Sequence, residues 1–251
     1  MSILIYTFKN LKFVQMLNYD SISLTEATGI QNELRHKVLL ESNNLDIKTI
    51  AGGDISHNKF SDTVFAGIVI LNYPELTLKS YSLIQTQTKF PYIPGYLGFR
   101  EIPALLEAWK QLPEKPDLIV LDGQGVTHPR RIGIASHFGV LTDFPAIGCA
   151  KNMLFGKYNP LGLEKYSTSA IYDKQEILGY ALRTKTGVKP VYVSPGHKIS
   201  VGDSIEIMKN CCIKHRIPEP TRLAHDKVNL FRVGKLKQGY HVEITTLDLF
   251  S

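Results

Sequence analysis

The stretch LIVLDGQGVTHPRR, Leu118 to Arg131, decides how this chain is read. Its first four residues are all apolar, the mark of a strand buried on both faces of a sheet. Asp122 ends the run. Gly123 and Gly125 follow, then His128, Pro129, Arg130 and Arg131. A carboxylate at the end of a buried strand, with small and basic residues crowded behind it, asks what the sheet delivers that acid to.

Periodicity on either side supplies the frame. Before the strand, Ile102, Leu105, Leu106, Trp109 and Leu112 form a helical stripe. After it, a helix is expected over 131–142 and a second buried strand in PAIGCAK, 145–151. Further upstream lie KTIAGGDIS (48–56), a strand interrupted by glycines, and TVFAGIVIL (63–71), a strongly apolar strand. LTLKSYSLIQT (76–86) alternates like a strand with one wet face, and NYPE supplies the turn before it. Ile30, Leu34 and Val38, four apart, predict a helix over 25–41. Three strands on short connections predict an antiparallel meander. The later strands alternate with helices and suit parallel pairing through right-handed crossovers. The expected fold is α/β, a mixed central sheet with helices on both faces. A strand at Tyr192–Ser194, a helix over 200–215 opened by Ser200, and a short last helix in TRLAH (221–225) complete it. No linker divides the chain, so one domain over 1–251 is expected.

Composition is ordinary for a globular protein, 43% hydrophobic and 21% charged. No apolar run approaches the ~18 residues of a membrane span. The start MSILIYTFKNLKFVQM has no small-residue cleavage site, so no signal peptide is read there. Cys149, Cys211 and Cys212 give neither a disulfide framework nor metal spacing, and the cytoplasm is the expected compartment. The charge is less ordinary. Net charge is +6, and residues 183–237 hold twelve Lys/Arg against four acids, an excess of eight. A basic third suggests a polyanion, most simply nucleic acid. A solvated lysine-rich face, or a surface for an acidic protein partner, is the alternative.

Three acids stand out: Asp54 in GGDIS, Glu101 at the start of a helix, and Asp122. If the first and fourth strands are neighbours, Asp54 and Asp122 come together. Unpaired carboxylates side by side repel. A divalent cation relieves this, and oxygen ligands favour Mg²⁺ or Mn²⁺ over zinc. Such cations serve phosphodiester hydrolysis. Taken singly, each acid is more simply a strand-end or helix-start residue.

The blocks AGGDIS, PYIPGYLGFREIPAL, DGQGVTHPRRIGIASHFGV, IGCAK, GHKIS and PEPTRLAH occur in order. Together they resemble the endonuclease V family, nucleases that cut near deaminated purines. The resemblance covers about residues 25–225 and leaves a C-terminal tail, 226–251. It implies a ribonuclease-H-like fold, in agreement with the strand order. It implies that Asp54, Glu101 and Asp122 hold the metal, Mg²⁺ with Mn²⁺ as substitute. His225 would help bind the metal or position water, and Lys151 would meet the scissile phosphate. PYIP, Pro91–Tyr92–Ile93–Pro94, would be a strand-separating wedge: its prolines stiffen it, and Tyr92 and Ile93 offer surface to push between bases. Gly95, Leu97 and Gly123 would read the edge of an extruded base, Gly123 leaving room for the substrate. His128 would touch a phosphate or organise the pocket. Arg130 and Arg131 would contact phosphates or cap neighbouring elements. The implied activity is hydrolysis of the second phosphodiester bond 3′ to inosine, in DNA repair, with 5′-phosphate products. Inosine-containing DNA is the expected partner, ahead of RNA, and a monomer is expected. An endoribonuclease, or a binder without catalysis, is the alternative. Two departures from the family pattern are visible: Gln124 stands where many relatives have histidine, and Asn152–Met153 replaces a more basic pair.

Overall fold

The strand that ends before Asp122 lies near the middle of a ten-stranded mixed sheet. The computed structural model describes residues 19–43, 45–58 and 61–243. Among these, the elements in chain order are α1 (Leu24–Arg35), β1 (Thr49–His57), β2 (Thr63–Asn72), β3 (Leu78–Gln87), α2 (Leu97–Gln111) and β4 (Leu118–Leu121). Then come α3 (Ile134–Thr142), β5 (Ala146–Ala150), β6 (Lys157–Tyr158), β7 (Thr168–Asp173), β8 (Glu176–Leu182), β9 (Val191–His197), α4 (Val201–Asn210), α5 (Glu219–Arg232) and β10 (Gly239–Val242). The spatial order is β10-β3-β2-β1-β4-β5-β9-β8-β7-β6. The expected meander is present: β1, β2 and β3 pair antiparallel. β4 lies parallel to both β1 and β5, as the helical crossovers predicted.

Alternation along the strands separates two apolar faces. On β2, Val64, Ala66, Ile68 and Ile70 face α1, α2 and α3, where Phe99, Ile102, Leu105 and Phe138 are fully buried. Phe65 and Val69 face the other side and pack on Ala224, Val228 and Phe231 of α5. Ile50, Leu118, Val120 and Ile147 pack there with Ile205 and Met208 of α4. Helices therefore cover both faces.

Several boundaries differ from expectation for local reasons. α1 starts from a capping box between Ser23 and Glu26 but ends at Arg35, not 41. Beyond it Leu39 is drawn to the end of β9, donating its N–H to His197 Nδ1 and accepting from the Lys198 N–H. α5 runs fourteen residues, because Ala224, Val228 and Phe231 continue one buried stripe. The strands β6, β7 and β8 were not anticipated: β7 buries only Ile171 fully, which blurs its alternation. Within the C-terminal tail, residues 239–242 form a strand that pairs antiparallel with β3. Residues 244–251 and 1–18 lie outside the described residues.

Candidate active site

Register brings the first two acids together. Gly53 on β1 pairs with Leu121 on β4, and the Asp122 N–H donates to the Gly53 carbonyl at 3.2 Å. Asp54 and Asp122 are thus the next residues on two adjacent parallel strands. Lys151 follows β5, the next strand in order, and its ammonium forms an ion pair with Asp122. Glu101 lies one turn into α2. Burial, together with Asp54 and Asp122 nearby, pushes its carboxyl up to about 8. Burial and Asp54 also raise Asp122, and Lys151 tempers that rise. Glu101 and Asp122 thus sit near Asp54 in a low-dielectric corner that disfavours the charged form of both.

His225 comes to the same corner from α5. Gly52 permits the approach: a Cβ there would lie 1.8 Å from the Pro220 carbonyl oxygen at the start of that helix. His225 Nδ1 is 2.8 Å from Asp54 Oδ2, and the Asn229 side-chain amide donates to Nε2 at 2.9 Å. The proton is thereby placed on Nδ1, facing Asp54. The bond to Asp54 raises the His225 pKa.

Among the described residues, no three His, Cys, Asp or Glu side chains stand close enough to hold a metal ion as they are. Lys151 pairs with Asp122, and His225 holds Asp54 through Nδ1. The donor set itself, three carboxylates of which Glu101 and Asp122 are held above their ordinary range, fits a hard divalent cation.

A small pocket, partly open to solvent, lies between the same two segments that carry Glu101 and Asp122. Gly95, Leu97 and His128 line it with Gln31, Gln124 and Ile134, and Gly123 is not among the lining residues. Burial lowers the pKa of His128 to about 4, so the ring is neutral at physiological pH. Its Nδ1 accepts from the Arg130 N–H at 3.1 Å, and its Nε2–H donates to the Gly95 carbonyl at 3.0 Å. The position beside Gly123 is filled by Ile134: a Cβ would lie 2.5 Å from its Cγ2. The missing side chain there accommodates α3 and the pocket wall. Gln124 donates to the Asn152 carbonyl at 2.8 Å and accepts from Thr127 at 2.5 Å, tying the glycine loop to the segment after β5. Both arginines after His128 bond within the fold. Arg131 pairs with Asp173 and Glu176, and Arg130 with Gln31 and the Gly95 carbonyl.

The loop Pro91–Tyr92–Ile93–Pro94 directly precedes Gly95 of the pocket. Tyr92 is 64% exposed, while Phe90 just before it is buried at 1%. The Tyr96 N–H donates to the Ile93 carbonyl at 2.9 Å, closing a turn. Arg100 donates to the carbonyls of Phe90 and Ser61 and fixes the base of the loop.

Sequence reasoning passed over Gln31, Arg100 and Asn229. For Gln31 a signal existed: it is a polar residue on the buried stripe of α1, between Ala27 and Leu34. Asn229 lies one turn after His225, beyond the expected end of the last helix, and Arg100 bonds backbone carbonyls at Phe90 and Ser61, which no side-chain pattern announces.

A family model for endonuclease V matches residues 32–226. Endonuclease V of Rippkaea orientalis is 44% identical over 218 residues, which span 85% of this chain and 95% of that relative. The crystal structure of endonuclease V from Streptomyces avermitilis matches with a TM-score of 0.80 at 38% identity, covering 85% of this chain and 95% of that one. That of Ciona intestinalis endonuclease V, in complex with DNA containing an inosine followed by a ribo-adenosine, matches with a TM-score of 0.74 at 29% identity, covering 84% and 98%. The fold is ribonuclease-H-like, and the relatives that share it at this level of identity are nucleases. The chain belongs to the endonuclease V family.

Proposed function

We propose that this protein is a divalent-cation-dependent endonuclease. It takes a deaminated base, chiefly inosine, into the pocket at Gly95, Leu97 and His128. It hydrolyses the second phosphodiester bond on the 3′ side, leaving 5′-phosphate ends, as a step of DNA repair. The observation that carries this reading is that Asp54 and Asp122 end up side by side on adjacent strands, with Glu101 near them, and that the segments Leu97–Glu101 and Asp122–His128 also line a pocket.

Asp54, Glu101 and Asp122 would hold the cation, which we assign as Mg²⁺ with Mn²⁺ as substitute. When bound it supplies an activated water and stabilises charge on the phosphate. The protein's own residues do the rest. Lys151, which pairs with Asp122, would offer a point charge to the scissile phosphate. His225 orients Asp54 through its Nδ1–H. Pro91 and Pro94 stiffen the loop that presents Tyr92 and Ile93 to the gap left by an extruded base. Backbone groups at Gly95, Leu97 and Gly123 meet the base edge.

The test is to incubate the protein with matched DNA and RNA strands carrying one inosine, with and without Mg²⁺, and to map the ends. Cation-dependent cleavage one nucleotide beyond the inosine is the expected result. No cleavage of any inosine strand overturns the proposal. A second reading, an inosine-specific endoribonuclease, is favoured by one observation: the relative from Ciona intestinalis was crystallised with a strand whose inosine is followed by a ribo-adenosine. Faster cleavage of the RNA strand would select it.

A further inference from the structure

Lys151 leaves the sheet where the backbone ladder stops. The pairing of β5 with β9 runs as far as Ala150 opposite Tyr192. Continued in the same register it would set Lys151 opposite Val191 and Asn152 opposite Pro190, which has no N–H to donate. Side chains hold the two carbonyls beyond the ladder instead. The Lys151 carbonyl accepts from Arg216 Nη2 at 2.7 Å, and the Asn152 carbonyl accepts from Gln124 Nε2 at 2.8 Å.

Arg216 reaches further than one acceptor. The same Nη2 donates to the Pro190 carbonyl at 2.8 Å, and Nε donates to the Lys189 carbonyl at 2.9 Å. One planar fork therefore joins the end of β5 to the start of β9. The arginine is itself fixed. It sits half-buried in the loop between α4 and α5, and its own carbonyl accepts from the buried Thr184 hydroxyl at 2.7 Å. The next residue, Ile217, packs into the same apolar cluster as Ile147 and Cys149 of β5. Among the described residues no carboxylate pairs with Arg216, whose hydrogen bonds all go to backbone carbonyls.

A lysine ammonium on its flexible stem has no preferred direction of its own. Where it can reach is set by where its backbone is held. The Lys151 ammonium reaches Asp122, and a reacting group misplaced by about 1 Å can cost roughly a hundredfold in rate. We infer that Arg216 is a positioning residue for cleavage: its guanidinium fixes the Lys151 backbone at the end of β5 and so aims the Lys151 ammonium into the corner of Asp54 and Asp122. This rests on the assignment of Lys151 to the scissile phosphate.

Arg216→Met removes these donors and the charge together. Arg216→Lys keeps the charge but cannot span the carbonyls of both strands. Single-turnover cleavage of an inosine strand at saturating protein is measured for each, and for Arg216→Met in a Lys151→Ala background. Equilibrium binding of the same strand and hydrogen exchange of the free protein are measured without added cation. Both single variants are expected to slow cleavage roughly tenfold or more, with binding altered less than about threefold. Exchange is expected to quicken in the segment just after β5. In the Lys151→Ala background the loss from Arg216→Met is expected to shrink below about threefold, because two residues that act through one group are not additive. A tenfold loss that persists without Lys151 overturns the inference, since a general loosening or a direct phosphate contact would give it. So does wild-type cleavage by Arg216→Lys, which would assign the role to the charge rather than the fork, and so does unaltered exchange after β5. Wild-type cleavage by Lys151→Ala alone overturns the assignment of Lys151 and the inference with it, and the two failures are thus told apart. Should Arg216→Met fail to fold, Arg216→Gln, with its shorter amide, makes the same comparison.

Discussion

His225 Nδ1 on α5 lies 2.8 Å from Asp54 Oδ2 on β1, joining residues 171 positions apart in the chain. That contact depends on how closely the helix sits against the strand, and Gly52 sets the spacing. A methyl group at Gly52 would meet the Pro220 backbone at 1.8 Å, where no flexible side chain can give way. Gly52→Ala is expected to lower stability by roughly 2–4 kcal/mol through overpacking and to impair cleavage by moving His225 off Asp54. Urea unfolding and single-turnover cleavage of the same variant check this. Unaltered unfolding would show that the helix can shift without cost.

Asp122→Asn keeps the side-chain shape and removes one negative charge and one cation ligand. Cleavage of an inosine strand in Mg²⁺ is expected to fall by roughly a hundredfold or more, the scale on which catalytic electrostatics act. Binding of the same strand should hold or tighten, because a negative charge near the phosphate has gone and Lys151 has lost its partner. Wild-type cleavage by Asp122→Asn would remove Asp122 from the cation site.

The central frame was legible because its signals are local and strong. LIVL, between turn residues, could only be a buried strand, and the order of strands and helices fixed which neighbours could be parallel. That was enough to bring Asp54 and Asp122 together. Partnerships across the sheet were not legible. Arg130 and Arg131 look alike in sequence, yet one braces Gly95 while the other pairs with Asp173 and Glu176 on a hairpin whose alternation is weak. Gly123 showed that a side chain was unwelcome, but only the packing shows that Ile134 fills the space. The basic excess in 183–237 was counted correctly, though composition could not tell which charges face solvent.

Those charges divide into two groups. Lys198, Lys209, Arg222 and Lys227 form ion pairs, and Arg183, Arg216 and Arg232 donate to oxygens within the fold. Lys185, Lys189, Lys214, Lys235 and Lys237 are exposed. Only a few phosphate contacts are therefore available from this third. Affinity for a single strand is expected to fall roughly 10- to 100-fold between about 50 and 200 mM salt. A titration of binding against salt measures it. A flat line would take this surface out of the interface, and a much steeper one would require the internally paired residues to be released.

Two buried histidines should pull stability down in mild acid, against the opposite pull of Glu101, whose carboxyl is pushed up to about 8 by burial. Burial lowers His128 to about 4 and His137 to about 3. Both are neutral in the folded protein, while in the unfolded chain they protonate as pH drops below about 6.5. At these rings the unfolded state then binds more protons, so their share of the stability is fully present above pH 6.5 and is lost as pH falls toward 4. By pH 5 the loss is roughly 2 kcal/mol for each ring. Denaturant unfolding between pH 7.5 and 5 follows it. His137→Phe, which removes one titrating group from the core, should flatten the curve, and an equally steep curve would assign the loss to other groups.

Tyr92 should matter more for duplex substrates than for single strands. It is 64% exposed, in a loop stiffened by Pro91 and Pro94 and anchored by buried Phe90. That anchoring comes from Arg100, which donates to the Phe90 carbonyl at 2.7 Å. The ring is thus held out from a fixed base, as a wedge must be. An aromatic surface filling the gap of an extruded base offsets lost stacking by roughly 1–3 kcal/mol. In a duplex the base must also be unpaired, at a further cost of a few kcal/mol, and a wedge at Tyr92 would hold that opening. A single strand has no partner to hold apart. Tyr92→Ala is therefore expected to slow single-turnover cleavage of an inosine strand several-fold more when the strand is annealed than when it is alone. The exposed position predicts an unchanged melting temperature, which separates this effect from misfolding. Equal losses on both substrates would place Tyr92 in base reading and end its role as a strand-separating wedge.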